Sequence, residues 1–348
     1  MTAKDLTFEL IMRHSSAARG RRLVIFAWVF LQAVLISRPC AGQQAPAQPG
    51  ARTEKITIAY PSRGITVLPL RVAQVKGFFK AEGLEPEIIQ MRAGVTVTAL
   101  TTGDLDYGAP LDSIIRASAR GLPLKGLMSF VNKPMHYLVA RPEFSSVRDL
   151  RGKTLAISAF GSTEQFTTFA TLNAHGLDPE KKDVKVVALG DSAVRLEALK
   201  QGLVDATVIL IPYVIVAENL GFKILANAGD YLELSTPGLG TSDRLLREKP
   251  DQIKRTVRAA ARGLLFIRQN RDETVRVMMD WLALDKDTAT RAYLMGLNAY
   301  SEDGTPSEKG VAASVRLELE KAGAKKEIPM SKIFALSILQ EVQREIRK

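Results

Sequence analysis

Six short segments of the chain carry residue types suited to holding a small polar solute. They are Ser62-Arg63, Gly94-Val95, Leu111-Asp112, Phe160-Gly161-Ser162-Thr163, Asp191 and Tyr213. Arg63 has the planar fork that pairs with a carboxylate or sulfonate, though a solvated surface role fits it equally. Ser162 and Thr163 offer hydroxyls and backbone N–H groups at a helix start, where an anion is favoured. Ser162 can also be a simple helix cap, with Gln165 closing a capping box. Asp112 and Glu164 could meet a ligand amine or merely stabilise helix N-termini. Phe160 and Tyr213 could wall a pocket or pack into a core.

Signals for catalysis are weak. His14, His136 and His175 are far apart in sequence and have no metal-ligand spacing. The chain has no Gly-x-Ser-x-Gly elbow and no phosphate-loop Gly-Lys-Ser/Thr. Asp104 and Asp106 resemble a carboxylate pair, but Asp106 has a repeat partner in Asp205. Asp106 reads instead as a turn into a strand. No catalytic residue, metal or cofactor is therefore expected.

The elements that position these segments come in two copies. Ala99-Leu100-Thr101-Thr102-Gly103-Asp104-Leu105-Asp106 is matched 99 residues later by Ala198-Leu199-Lys200-Gln201-Gly202-Leu203-Val204-Asp205. Glu82-Gly83-Leu84-Glu85-Pro86-Glu87 is matched by His175-Gly176-Leu177-Asp178-Pro179-Glu180. Strands are expected at 55–60, 87–91, 105–109, 153–157, 184–189 and 206–211, separated by single helices, a pattern that implies parallel sheets. Leu68, Val72, Val75 and Phe79 predict one helix ending at Gly83. Phe166, Phe169 and Ala170 predict the buried face of another. Residues 135–140 lead into the second copy and 237–241 lead back. Beyond Pro250 the pattern is helical, with Ile253, Val257, Ala260, Leu264 and Ile267 on one stripe and further helices near 271–282, 287–297, 307–322 and 331–346. The candidate segments all fall at strand ends and helix starts, where open α/β sheets bind ligands.

The N-terminus combines Arg13, Arg19, Arg21 and Arg22 with an apolar run from 23 to 36 and small residues at 40–42. That is the pattern of an export signal, expected over 1–42 and followed by a flexible linker at 43–54. Cys40, the single cysteine, is an alternative lipidation site. The formal charge is +11. Removing 1–42 takes +4 with it and leaves about +7, spread along helices rather than clustered, which argues against nucleic-acid binding.

The chain resembles the periplasmic substrate-binding proteins of ABC importers, in the group serving alkanesulfonate, nitrate, taurine and thiamine-pyrimidine precursors. The resemblance rests on Gly77-Phe78-Phe79-Lys80-Ala81-Glu82-Gly83-Leu84, Gly103-Asp104-Leu105-Asp106-Tyr107-Gly108, Gly161-Ser162, Gly176-Leu177-Asp178-Pro179, residues 198–206 and Gly221-Phe222-Lys223-Ile224-Leu225. It implies an α/β, two-lobed, type II-like binding protein. Each lobe would be a mostly parallel sheet flanked by helices, with a helical C-terminal region. Lobe 1 would span 55–134 and 238–348, and lobe 2 would span 135–237. The resemblance further implies a monomer in the periplasm that closes on a small, anionic solute and delivers it to an inner-membrane ABC permease. Its pocket positions fall on Ser62-Arg63, Gly94-Val95, Leu111-Asp112 and Gly161-Ser162-Thr163. An enzyme and a receptor-linked sensor on the same scaffold are the alternatives. The thiamine-pyrimidine chemistry of one relative uses a His and a Cys-rich motif that this chain lacks.

Overall fold

A computed structural model describes residues 53–231, 234–321, 323 and 327–347. The export signal expected at 1–42, Cys40 and most of the linker lie outside them. Glu54, assigned to the linker, is instead the first residue of a strand.

Two five-stranded sheets form the frame. The first strands and helices are β1 (Glu54–Tyr60), α1 (Leu68–Val75), α2 (Phe78–Ala81), β2 (Leu84–Gln90), α3 (Ala93–Thr102), β3 (Tyr107–Gly108), α4 (Leu111–Ala119) and β4 (Leu124–Val131). The second sheet uses β5 (His136–Ala140), β6 (Thr154–Ile157), α5 (Thr163–Ala174), β7 (Lys185–Ala188), α6 (Ser192–Lys200), β8 (Ala206–Leu210), α7 (Tyr213–Asn219) and β9 (Lys223–Asn227). The chain then returns as β10 (Thr236–Ser242). It continues through α8 (Asp243–Glu248), α9 (Pro250–Gln269), α10 (Arg271–Leu282), α11 (Lys286–Leu297), α12 (Glu308–Lys321), α13 (Met330–Ile333) and α14 (Leu336–Ile346).

Strand orders are β2-β1-β3-β10-β4 and β7-β6-β8-β5-β9. In each sheet one strand is reversed. β10 runs antiparallel to β3 and β4, and β5 runs antiparallel to β8 and β9. The reversed strand is in both cases the one that arrives from the other sheet. We call the layers around the two sheets lobe 1 and lobe 2. This is the expected two-lobed binding-protein fold with its helical C-terminal region. β4, which the sequence pattern did not suggest, is almost fully buried. Its outer edge is closed by bridges from Gly126 to Phe334 and from Val131 to Tyr300, so no unpaired edge is left there.

The repeated Gly-x-x-Asp segments have one structural meaning. Gly103 (φ 88°) and Gly202 (φ 71°) end α3 and α6 in left-handed backbone that other residues adopt at a cost. The aspartate three residues on turns back to the parallel neighbour of the strand that follows it, β1 for Asp106 and β6 for Asp205. Asp106 Oδ2 accepts from the Thr57 N–H at 2.8 Å and from the Thr57 hydroxyl at 3.1 Å. Asp205 Oδ2 accepts from the Thr154 N–H at 2.8 Å, while its Oδ1 takes Arg141 at 2.7 Å. Each carboxylate thus satisfies a strand donor that lies outside the ladder.

Two expectations about helices are corrected. The helix over Leu68, Val72, Val75 and Phe79 breaks at Gly77 (φ 73°), leaving Val75 exposed and Phe79 buried. In α5 the hidden face is Glu164, Thr167, Thr168, Thr171 and Leu172, not the phenylalanines. The threonine hydroxyls bond back to carbonyls three or four residues earlier, so they are buried without unpaired donors. The final helix is also split, into α13 and α14. The α9 stripe is buried as expected. It packs on α1 so closely that a Cβ at Gly263 would meet the Pro69 carbonyl oxygen at 2.2 Å.

The matched carboxylates should matter equally. Asp106→Ala and Asp205→Ala are each expected to cost about 1.5–3 kcal/mol in urea unfolding, as hydrogen bonds to charged groups do. Asp104→Ala, whose carboxylate takes only the exposed Thr102 hydroxyl, should cost under about 0.5 kcal/mol. Equal costs for Asp104 and Asp106 would overturn this assignment.

Candidate functional site

The carboxyl ends of the parallel strands in the two sheets face one another, and a small enclosed cavity lies between them. It holds about 60 Å³. Pro61, Ser62 and Thr66 follow β1, Ala93 opens α3, and Pro110 and Leu111 enter α4. Met135 and His136 come from the crossing into β5, and Pro237 from the return strand. Lobe 2 adds Ser158, Leu210 and the first turn of α5, Ser162, Thr163 and Glu164. Three helix N-termini, those of α3, α4 and α5, therefore converge on one space, where unpaired N–H groups and helix dipoles favour negative charge. Among the described residues lining the cavity there is no Lys or Arg.

Two polar clasps tie the lobes together beside this cavity. In the first, Asp191 caps α6 through the Ala193 N–H at 2.9 Å. Its Oδ2 accepts from three lobe 1 donors: the Ser62 hydroxyl (3.2 Å), the Arg63 N–H (3.2 Å) and Gln90 Nε2 (2.8 Å). In the second, buried Asp112 pairs with Arg116 at 3.1 Å, receives the Thr163 hydroxyl at 3.0 Å and also receives Ser314 Oγ. Arg116 donates across the gap to the Gly161 carbonyl at 3.0 Å, and its guanidinium lies 3.9 Å from the Phe166 ring centre. A cation over an aromatic face adds attraction at that point.

Beneath α5, Glu164 is buried against Arg195. Arg195 donates to its Oε2 at 2.7 Å and to the Val208 carbonyl, and Ser158 N–H donates to Glu164 Oε1 at 2.6 Å. Burial pushes the Glu164 carboxyl up and the Arg195 guanidinium down, and their mutual attraction opposes both shifts. His136 is fully buried beside Thr167, whose hydroxyl lies 3.2 Å from Nδ1. Desolvation, with Arg195 nearby, pushes the imidazole down to about 3, so it is neutral at ordinary pH.

The candidate residues divide into five groups. Ser62, Leu111, Ser162 and Thr163 line the cavity. Asp112, Gly161 and Asp191 belong to the clasps. Gly94, Val95 and Phe160 lie outside, in a groove of about 490 Å³ shared with Arg92, Thr98, Ala159 and Ala188. Phe160 is 61% exposed there and Val95 53%. Arg63 reaches Asp191 through its backbone only, and its side chain lines a separate hollow with Tyr60. Tyr213 is half-buried in the apolar core, near Arg63. The Ser162 cap forms, with Gln165 N–H donating to Ser162 Oγ, but Gln165 Oε1 takes the Gly161 N–H instead of the Ser162 N–H. Sequence reasoning missed Thr66, His136 and Leu210 as lining residues, and Arg116 and Arg195 as partners. Arg195 had one visible signal, a cation on the Ser192-Leu196-Leu199 face of an otherwise core-facing helix. Among the described residues, no group of three His, Cys, Asp or Glu could hold a metal ion.

A family model described as NMT1/THI5 like matches residues 65–274, more than half of the chain. The chain belongs to the NMT1/THI5-like family. Among its relatives, the riboflavin-binding protein RibY of Chloroflexus aurantiacus is 25% identical over 254 residues, spanning 70% of each chain. The 4-amino-5-hydroxymethyl-2-methylpyrimidine phosphate synthase of Uromyces fabae is 29% identical over 147 residues, 40% of each chain. The solved alkanesulfonate-binding protein SsuA from Xanthomonas axonopodis pv. citri, bound to MOPS, superposes with a TM-score of 0.67 at 18% identity. That match covers 82% of this chain and 99% of SsuA. The likeness to SsuA is one of fold. This NMT1/THI5-like chain thus has relatives named as binding proteins and relatives named as an enzyme.

His136 gives the site a pH signature. Its folded value of about 3 lies below the ~6.5 of a free imidazole, so between them only the unfolded chain takes the proton. Stability supplied by neutral His136 is therefore complete above that range and is lost as pH falls. Taking urea unfolding from about pH 7 to about pH 5, His136→Gln should lose about 2 kcal/mol less than the parent chain. Identical pH dependence in the two would contradict the buried neutral assignment.

Proposed function

We propose that this protein is an extracytoplasmic solute-binding protein that captures a small solute between its lobes and passes it to an ABC permease. The observation that carries the proposal is the cavity held between two inter-lobe clasps. The convergence of α3, α4 and α5 N-termini supports an anionic head on the solute, and Leu111, Met135 and Leu210 supply apolar walls for its body. The clasped cavity of about 60 Å³ is far below the roughly 300–1,000 Å³ of ordinary ligand sites. In our reading this is the closed state. Residues 135–237 would swing away from 55–134 with 238–348 to admit the solute. A ligand shifts that equilibrium only by its extra affinity for the closed form.

Binding without turnover accounts for the site better than catalysis does. Its acid, Glu164, is neutralised by Arg195, and its imidazole is buried next to a threonine hydroxyl. Neither is presented as a free acid or base.

Thermal-shift screening of sulfonates, nitrate, small carboxylates, pyrimidines and riboflavin tests the proposal, followed by mass spectrometry of solute released from purified protein. A true ligand at 100 times its Kd should stabilise the chain by about 2.7 kcal/mol. Asp191→Ala, which opens one clasp, should weaken that ligand about tenfold and expand the liganded protein in small-angle X-ray scattering. Asp191→Ala with parental affinity would refute the clasp model, and a released solute that is chemically altered would favour an enzyme.

A further inference from the structure

A second hollow of about 280 Å³ lies in lobe 1 and shares no lining residue with the inter-lobe cavity. Arg63, Arg71 and Gln74 supply its polar wall. Tyr60 and Trp281 supply a ring wall, packed edge to face with centroids 6.3 Å apart. Arg63 rests on the Tyr60 hydroxyl. Asp191 attracts Arg63 but bonds only its backbone N–H. Arg71 donates through Nη1 to Gln74 Oε1 at 2.7 Å, while its Nε is buried and donates to nothing. Among the described residues neither arginine has a carboxylate partner within ion-pair distance. Other arginines of this chain do meet acids, among them Arg116, Arg195 and Arg258.

Two guanidinium groups left unpaired beside a hollow, one with an orphan donor, need an explanation. Both guanidinium groups line one concave wall together with the Tyr60 and Trp281 rings. We propose that the hollow between α1, β1 and α10 is a second ligand site, for an aromatic carboxylate. The oxyanion would lie between Arg63 and Arg71, which match its planar fork, and the ring would lie against Tyr60 and Trp281. Because Tyr60 ends β1, directly before the Ser62 and Arg63 donors of the Asp191 clasp, occupancy here touches the loop that closes the main cavity.

Isothermal titration of the purified full chain with benzoate tests this. Saturable binding complete by about 1 mM is expected. Arg71→Ala should weaken it at least tenfold, and Arg71→Lys, which keeps the charge but not the fork, should weaken it nearly as much. Thr163→Val, altered at the inter-lobe cavity and the Asp112 clasp but not in the hollow, should keep the parental benzoate affinity. Absence of saturable heat, or unchanged affinity in Arg71→Ala, overturns the site. Benzoate binding lost in Thr163→Val assigns the probe to the main cavity and also overturns it. Inorganic phosphate binding as tightly as benzoate removes the aromatic ring from the proposal.

Discussion

Two carboxylates, Asp191 and Asp112, set the relation between the lobes. Each has a local duty and a distant one. Asp191 caps its own helix with one oxygen and gathers three donors from the opposite lobe with the other. Asp112 neutralises Arg116 on its own helix and receives Thr163 from across the gap. The local duty fixes each carboxylate in place before the lobes meet. The distant bonds then form between groups that are already ordered, with little side-chain entropy left to lose. The clasp bonds are polar, so they can be exchanged for water, and they share the seam with an apolar cluster that joins Ile65 and Tyr293 of lobe 1 to Ile211 and Val214 of lobe 2.

The same economy explains the contents of the cavity. Its charged groups are compensated inside a single lobe, Glu164 by Arg195 and Asp112 by Arg116. What remains open toward the space is backbone N–H at three helix starts, hydroxyls and apolar walls. A field built from dipoles has no net charge of its own, so it can favour an anion without trapping one. The buried neutral His136 adds a further uncharged wall. A site of this kind holds a solute by fit and by partial charges, which suits capture and release.

How much of this was legible in the sequence depends on the distance over which each residue acts. The Gly-x-x-Asp repeats were readable because both parts of the device, a left-handed glycine and an acid three residues later, are adjacent in the chain. Strand and helix order followed from the same repeats, and so did the placement of Ser62, Leu111, Ser162 and Thr163 at strand ends and helix starts. Arg116 and Arg195 were missed because their roles depend on carbonyls and rings brought together by folding. Arg63 was attributed to the cavity because its loop is there, but a side chain on a short loop can point to either side, and this one lines the separate hollow with Tyr60. The buried face of α5 escaped because threonine reads as polar in sequence, although a hydroxyl bonded to its own helix is nearly apolar from outside. β4 escaped because a strand hidden on both faces and along its edge lacks the alternation that marks a half-exposed one.

The reversed strand β10 has a temporal consequence. It lies in the middle of the first sheet, between β3 and β4, yet it follows the whole of the second sheet in the chain. During synthesis the opening half of the molecule has a slot that nothing can fill until residue 242 has been made. Until then the apolar faces beside β3 and β4 have no partner strand, and such long-range pairing is slow. The first lobe therefore cannot mature as an autonomous unit ahead of its neighbour. The second sheet, whose last strand ends at Asn227, has all its strands before the first sheet does.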